Sequence, residues 1–225
     1  GVATARLSGK QLFCYKPNKY TSAAATFRTS RPDYAAALDQ LGDQPKADWI
    51  AHEDAIPTIG SRLTKAAELG HVAALVFYLI PNRDLGSHSA GGADSAEAYR
   101  KLYRAGAAQV KGRECILILE PDAISMIDRM SSSDEAVRYQ LLSEARDAFE
   151  QAGAVVYVDS GSSNWIPAER QAERLERVGA KRFSLNTSMT QYSRDEHAYA
   201  QVIRSLLGVD TGYVIDTGRN GLGPY

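Results

Sequence analysis

Cysteine is scarce in this chain of 225 residues, which has only Cys14 and Cys115. Their spacing and lack of a neighbouring histidine support neither a metal site nor a thiol nucleophile. Both fall in predicted strands, where a buried cysteine acts as a small hydrophobe. Histidine is thin too: His52, His71, His88 and His197 are scattered, with no paired metal-binding spacing. Neither charge sign is in excess, with 26 basic and 27 acidic residues and a formal net charge of -1. That balance argues against nucleic acid or an anionic membrane surface as the main partner. No apolar run nears the ~20 residues of a membrane span. Nothing resembles a signal peptide, and the chain starts at Gly1 without methionine. A mature secreted chain and a fragment both fit.

What the chain does have is a recurring layout: an apolar, β-branched run that ends in aspartate. It occurs at 73–84 (AALVFYLIPNRD), 115–122 (CILILEPD), 154–159 (AVVYVD) and 213–216 (YVID). Such runs read as strands buried on both faces, as in parallel sheets. The predicted strands are 12–15, 73–79, 115–119, 154–158, 182–185 and 213–215, with predicted helices over 32–41, 59–69, 96–110, 133–152, 167–178 and 194–207. Ser95, Ser133 and Pro167 suit helix starts. Gly42, Gly70, Gly112, Gly153, Gly179 and Gly208 sit where helices should end. The alternation fits a closed (β/α) barrel or an open doubly wound sheet. No glycine-rich phosphate loop follows the first strand, which weakens a dinucleotide-binding reading. No repeat or linker divides the chain, so residues 1–225 read as one domain. A barrel would need at least one more βα unit after Asp216, so the C-terminal end reads as incomplete.

Function in parallel α/β folds collects at the carboxyl ends of the strands. Aspartates at neighbouring strand ends would converge on one cleft, and like charges so grouped suggest chemistry more than stability. Three segments stand out. Tyr78-Leu-Ile-Pro-Asn-Arg83-Asp84 leads into the small-residue loop Gly86-Ser-His-Ser89-Ala-Gly-Gly92, longer than a plain turn needs. Glu120-Pro121-Asp122 ends an apolar strand. Asp122 is either a poorly solvated acid with a raised pKa or a helix N-cap for 123–129, and the residues alone balance these. Asp159-Ser-Gly-Ser-Ser-Asn-Trp165 sets a tryptophan among polar neighbours, an aromatic platform of the kind sugar rings use.

Together these segments resemble glycoside hydrolase family 6, the cellulases that include cellobiohydrolases and endoglucanases. The motif from Tyr78 to Gly92, the Glu-Pro-Asp strand end and the Asp-x-Gly loop closed by Trp165 carry the match. Asn186 and Asp216-Thr-Gly-Arg219-Asn-Gly fit two further positions in register. The resemblance implies a distorted (β/α) barrel and inverting hydrolysis of β-1,4-glucosidic bonds. It implies Asp122 as general acid and Asp84 as the carboxylate that raises the acid's pKa and helps steer water. It further implies that Tyr78 packs on the distorted sugar beside Arg83, that Ser89 holds water and that Asp159 belongs to the substrate cleft. Trp165 would wall a subsite, with Asn186, Asp216 and Arg219 binding substrate. No cofactor or metal is implied. The partner is a β-1,4-glucan oligosaccharide or polysaccharide, and the protein would be a secreted monomer.

Two departures from the family stand out inside the match. The loop Asp159-Ser160-Gly161-Ser162 has serine where histidine is common, and Leu85 stands where cysteine usually follows Arg-Asp. The family's Trp-Cys-Asn and Lys-Pro-Gly-Glu-x-Asp-Gly segments, the latter with the proposed base, are expected beyond Tyr225. The chain alone is accordingly expected to be weakly active or inactive. Two alternatives remain: a glucan-binding domain without turnover, and a metal-dependent hydrolase using strand-end aspartates.

Overall fold

The computed structural model describes residues 7–86 and 91–224. Among them the chain runs α1 (Lys19–Phe27), α2 (Pro32–Asp43), β1 (Asp48–Ile50), α3 (Ile59–Glu68), β2 (Ala73–Phe77), α4 (Ala96–Val110) and β3 (Cys115–Leu119). It continues α5 (Ser132–Ala152), β4 (Val155–Asp159), α6 (Ala168–Val178), β5 (Arg182–Leu185), α7 (Ser193–Leu207) and β6 (Gly212–Ile215). The described strands form one sheet in the order β1-β2-β3-β4-β5-β6, each pair parallel. A doubly wound sheet reverses direction at a switch point. This sheet never does, so the barrel reading holds and the open-sheet alternative falls.

Strand side chains alternate between two apolar layers, as a period of two requires. Leu75, Phe77, Leu117, Leu119, Val156, Val158, Phe183 and Leu185 pack against the helices. Val76, Tyr78, Ile118, Val155 and Tyr157 form a second cluster on the opposite face. Both faces are therefore covered, which is why β2, β3 and β4 read as unbroken apolar runs.

The predicted strand at 12–15 shrinks to one bridge, Leu12 to Val72, with Phe13 N donating to Val72 O at 2.8 Å. Cys14 thus lies outside any strand and is partly exposed, whereas Cys115 is buried in β3. The chain leaves the sheet because Asn18 starts α1. Its side chain accepts from Tyr20 N and Thr21 N, and Thr21 Oγ1 accepts from Asn18 N, a complete capping box. The first strand is instead Asp48–Ile50, too short to show a pattern.

The predicted caps fare unevenly. Ser95 caps α4, accepting from Ala98 N, and Gly153 and Gly179 end α5 and α6 in the left-handed region. The cap of α5 is Ser131, not Ser133. Gly42 lies inside α2, where Thr21 and Asn18 of α1 pack too close for a side chain.

Phe149 anchors α5 to the sheet. It is fully buried, with its ring 5.0 Å from that of Phe77. Phe149→Ala should cost about 3–5 kcal/mol through the cavity left behind. Urea denaturation should show a lower midpoint at unchanged slope.

Candidate active site

Three of the four inner strand ends, those of β2, β3 and β5, hand over through left-handed residues other than glycine, while β4 uses Gly161 (φ 66°). Asn82 (φ 52°), Asp84 (φ 58°) and Leu85 (φ 44°) follow β2; Glu120 (φ 50°) and Asp122 (φ 68°) follow β3; Asn186 (φ 63°) and Ser188 (φ 58°) follow β5. Side chains other than glycine rarely adopt this region, and each such residue needs neighbours that hold it there. The predicted helix over 123–129 is not α-helical. Turns lead into a 3₁₀ segment at Ile127–Arg129, so the N-cap alternative for Asp122 falls. Where the Asp84 loop returns, Gly92 (φ 96°) lies so close to the segment after β2 that a Cβ would stand 2.0 Å from Ile80 O. Only glycine fits there.

The carboxylates at these ends are treated very differently. Glu120 is fully buried; it accepts from Leu79 N and Ile80 N at 3.0–3.1 Å and from Tyr99 Oη at 2.9 Å. Burial still pushes its pKa up to about 7. Asp159, 1% exposed, accepts from Thr187 Oγ1 at 2.6 Å, Asp122 N and Gly161 N at 3.0 Å, and Ser184 Oγ at 3.2 Å. Burial raises its pKa and these donors pull it down. Asp122 is partly exposed, and its carboxyl accepts no hydrogen bond from the described residues. Burial first, then the charges of Asp159 and Asp84, push its pKa up to about 7. A proton on Asp122 relieves repulsion without giving up any of Asp159's hydrogen bonds. Of that pair, Asp122 is the member that holds the proton.

Tyr78 closes one side of this group. Burial, Asp122 and Asp84 raise its phenol to about 12. The Arg83 guanidinium lies 4.5 Å from its ring centroid and donates from Nη1 to Tyr78 O (2.6 Å) and Ala51 O (2.7 Å). Trp49 of β1, 41% exposed, meets the Tyr78 ring edge-on at 5.6 Å. Trp49 carries no motif in the sequence, because β1 is only three residues long and shows no period.

A second group surrounds a cavity of about 460 Å³ lined by Trp165, Asn164, Met189, Gln191 and Arg219 among others. Trp165 is 36% exposed. Arg219 donates to Ser188 O at 2.9 Å, and Ser188 N donates to Asp216 Oδ2 at 2.8 Å. Asn186 is fully buried, its amide donating to Asp216 O at 2.8 Å and accepting from Gln191 N at 3.0 Å. The structure therefore gathers Tyr78, Arg83, Asp84, Asp122 and Asp159 in one place, and Trp165, Asn186, Asp216 and Arg219 in another. Asp159 and Asn186 sit beneath the surface with their polar atoms engaged inside the protein. Ser89 and His88 lie outside the described residues. Among the described residues no group of three or more His, Cys, Asp or Glu could hold a metal ion.

The raised acid has a stability signature. Between the ordinary carboxyl value of 3.8 and about 7, folded Asp122 keeps a proton that the unfolded chain releases. Stability therefore falls as pH rises through that window. Asp122→Asn removes the penalty and should raise the melting temperature at pH 8, with little change at pH 4. Thermal denaturation at the two pH values measures this.

Comparison with known proteins places this geometry. The model of the glycosyl hydrolases family 6 matches residues 7–225. Endoglucanase A of Cellulomonas fimi is 36% identical over 195 residues, covering 84% of this chain and 42% of that protein. Endoglucanase 1 of Streptomyces sp. (strain KSM-9) is 35% identical, covering 85% and 57%. The chain thus spans about half the length of these curated relatives. The endoglucanase Cel6 from Mycobacterium tuberculosis superposes with a TM-score of 0.88 at 32% identity, over 97% of this chain and 76% of that one. The catalytic core of the Chaetomium thermophilum cellobiohydrolase shares the fold at a TM-score of 0.80 and 19% identity, over 96% of this chain and 74% of that one. On sequence and fold together, the chain belongs to glycosyl hydrolases family 6.

Proposed function

We propose that the protein hydrolyses β-1,4-glucosidic bonds of cellulose or a related β-glucan with inversion at the anomeric carbon. The observation that carries this reading is the partly exposed Asp122, its pKa lifted to about 7 between Asp159 and Asp84. A carboxyl that stays protonated near neutrality is suited to donate its proton to the departing glycosidic oxygen. Asp84 lies close enough for its charge to bear on Asp122. That charge strengthens Asp122's hold on its proton before the reaction, favours positive charge developing on the sugar, and helps steer water. The water arrives on the opposite face of the ring, with Ser89 helping to hold it. An inverting pair needs about 6.5–9.5 Å between acid and base to admit that water. On the family resemblance, the base comes from the Lys-Pro-Gly-Glu-x-Asp-Gly segment.

Arg83 fixes Tyr78 against the distorted sugar, while Trp49 and Trp165 offer apolar faces to neighbouring rings. Asp216 and Arg219 shape the Trp165 side of the cleft, and Asp159 and Asn186 support it from below. The endoglucanases named above are 35–36% identical to this chain, whereas cellobiohydrolase C of Aspergillus terreus is 24% identical. This favours cleavage inside glucan chains. A polymer that cannot cross a membrane calls for a secreted enzyme, and one cleft of this kind can work in a monomer.

In the complete protein, Asp122→Ala should lower turnover of cello-oligosaccharides on the order of 10²–10⁴-fold. Binding, followed by calorimetry, should stay within a few-fold. Binding by the wild type without any turnover would favour a sugar-binding domain instead. Because the acid must be protonated, kcat/KM should fall as pH rises through about 7. Asp84→Asn should move that fall to lower pH.

A further inference from the structure

The two loops that carry Asp84 and Asp122 are joined by one buried side chain on neither. Arg138 lies in the second turn of α5 and is 2% exposed. Its Nη2 donates to Pro81 O at 2.9 Å and Asn82 O at 3.0 Å, and its Nη1 donates to Ala123 O at 3.3 Å. Asn82 is two residues before Asp84, and Ala123 directly follows Asp122. We propose that Arg138 is a positioning residue that fixes the separation of Asp84 and Asp122 by clasping the backbone of both loops. This rests on the reading of Asp122 as the acid and Asp84 as its assistant.

Three features favour positioning over general support. The clasped segments hold the left-handed residues Asn82, Asp84, Leu85 and Asp122, which do not keep that conformation unaided. The planar guanidinium fork reaches carbonyls on both sides at once, which a lysine ammonium of similar length does not. Glu120 completes the tie with opposite chemistry, taking the N–H groups of Leu79 and Ile80 where Arg138 takes carbonyls. By contrast, the nearby Arg174 donates to Ile124 O and Ser125 O and pairs with Asp128, so these bonds reach only the Asp122 side.

The test is the titration of the Asp122 carboxyl followed by carbon NMR in this chain, assigned with Asp122→Asn. Groups whose charge it feels are Asp159 on β4 and Asp84 beyond β2, while the neighbouring Tyr78 phenol stays neutral through the titration. Arg138→Lys should remain folded and titrate Asp122 at least about one pH unit lower, as the loops part and water enters. In the complete protein kcat should drop on the order of 10²-fold, with KM changed far less. Arg100→Met, which breaks the Arg100–Glu144 pair between α4 and α5, is the control. It should cost stability and leave the Asp122 titration unmoved. A folded Arg138→Lys protein with wild-type titration and kcat overturns the proposal. Should lysine not fold, Arg138→Gln, whose amide can still reach one loop, is read the same way. Failure of both to fold assigns Arg138 to the fold alone and also overturns the proposal. If the titration moves but the complete wild type cleaves no glucan, the positioning role stands and the hydrolase reading falls.

Discussion

Repulsion among carboxylates at adjacent strand ends is the constraint around which this molecule is arranged. Glu120, Asp122 and Asp159 are held in or beside the core, with Asp84 close enough to be felt. Such a group can persist only if each buried charge finds donors or a proton. Glu120 finds backbone N–H groups and Tyr99; Asp159 finds hydroxyls and backbone N–H groups. Asp122 finds no donor among the described residues and takes the proton. Between the two aspartates Asp122 and Asp159, hydrogen-bond supply, not residue type, decides which holds the proton.

The same ties hold backbone that would otherwise relax. Asp159 reaches across to the amide of Asp122, and Glu120 reaches across to the amides after β2. The ends of β2 and β3 are thus each fixed by a side chain from the neighbouring strand's end. The parallel register makes this possible, since it brings Phe77 level with Leu119 and Val158 level with Leu119. Stability lost to burying acids at the rim is offset by the apolar layers on both faces of the sheet below.

Much of the frame was legible because periodicity and punctuation are local. The helix over Ala96–Val110 and the strand over Cys115–Leu119 coincide with their apolar patterns. β1 was missed because three residues carry no period. α1 was missed although Asn18 and Thr21 spell a capping box, since its alanine-rich run has little amphipathic contrast. The strand expected at 12–15 failed because one apolar stretch cannot reveal how many residues will find a partner.

For the site, the sequence by itself determined which residues cluster at strand ends and which family they resemble, because motifs are contiguous. Only the tertiary structure decided how they differ. Asp122 and Asp159 both end apolar runs as aspartates, yet one is a partly exposed acid and the other a saturated buried acceptor. Asn186 turned out to be a backbone tie, and Arg138, which no motif marked, bridges the two loops. Protonation and position depend on donors that lie tens of residues away along the chain. Those neighbours exist only once the strands have paired.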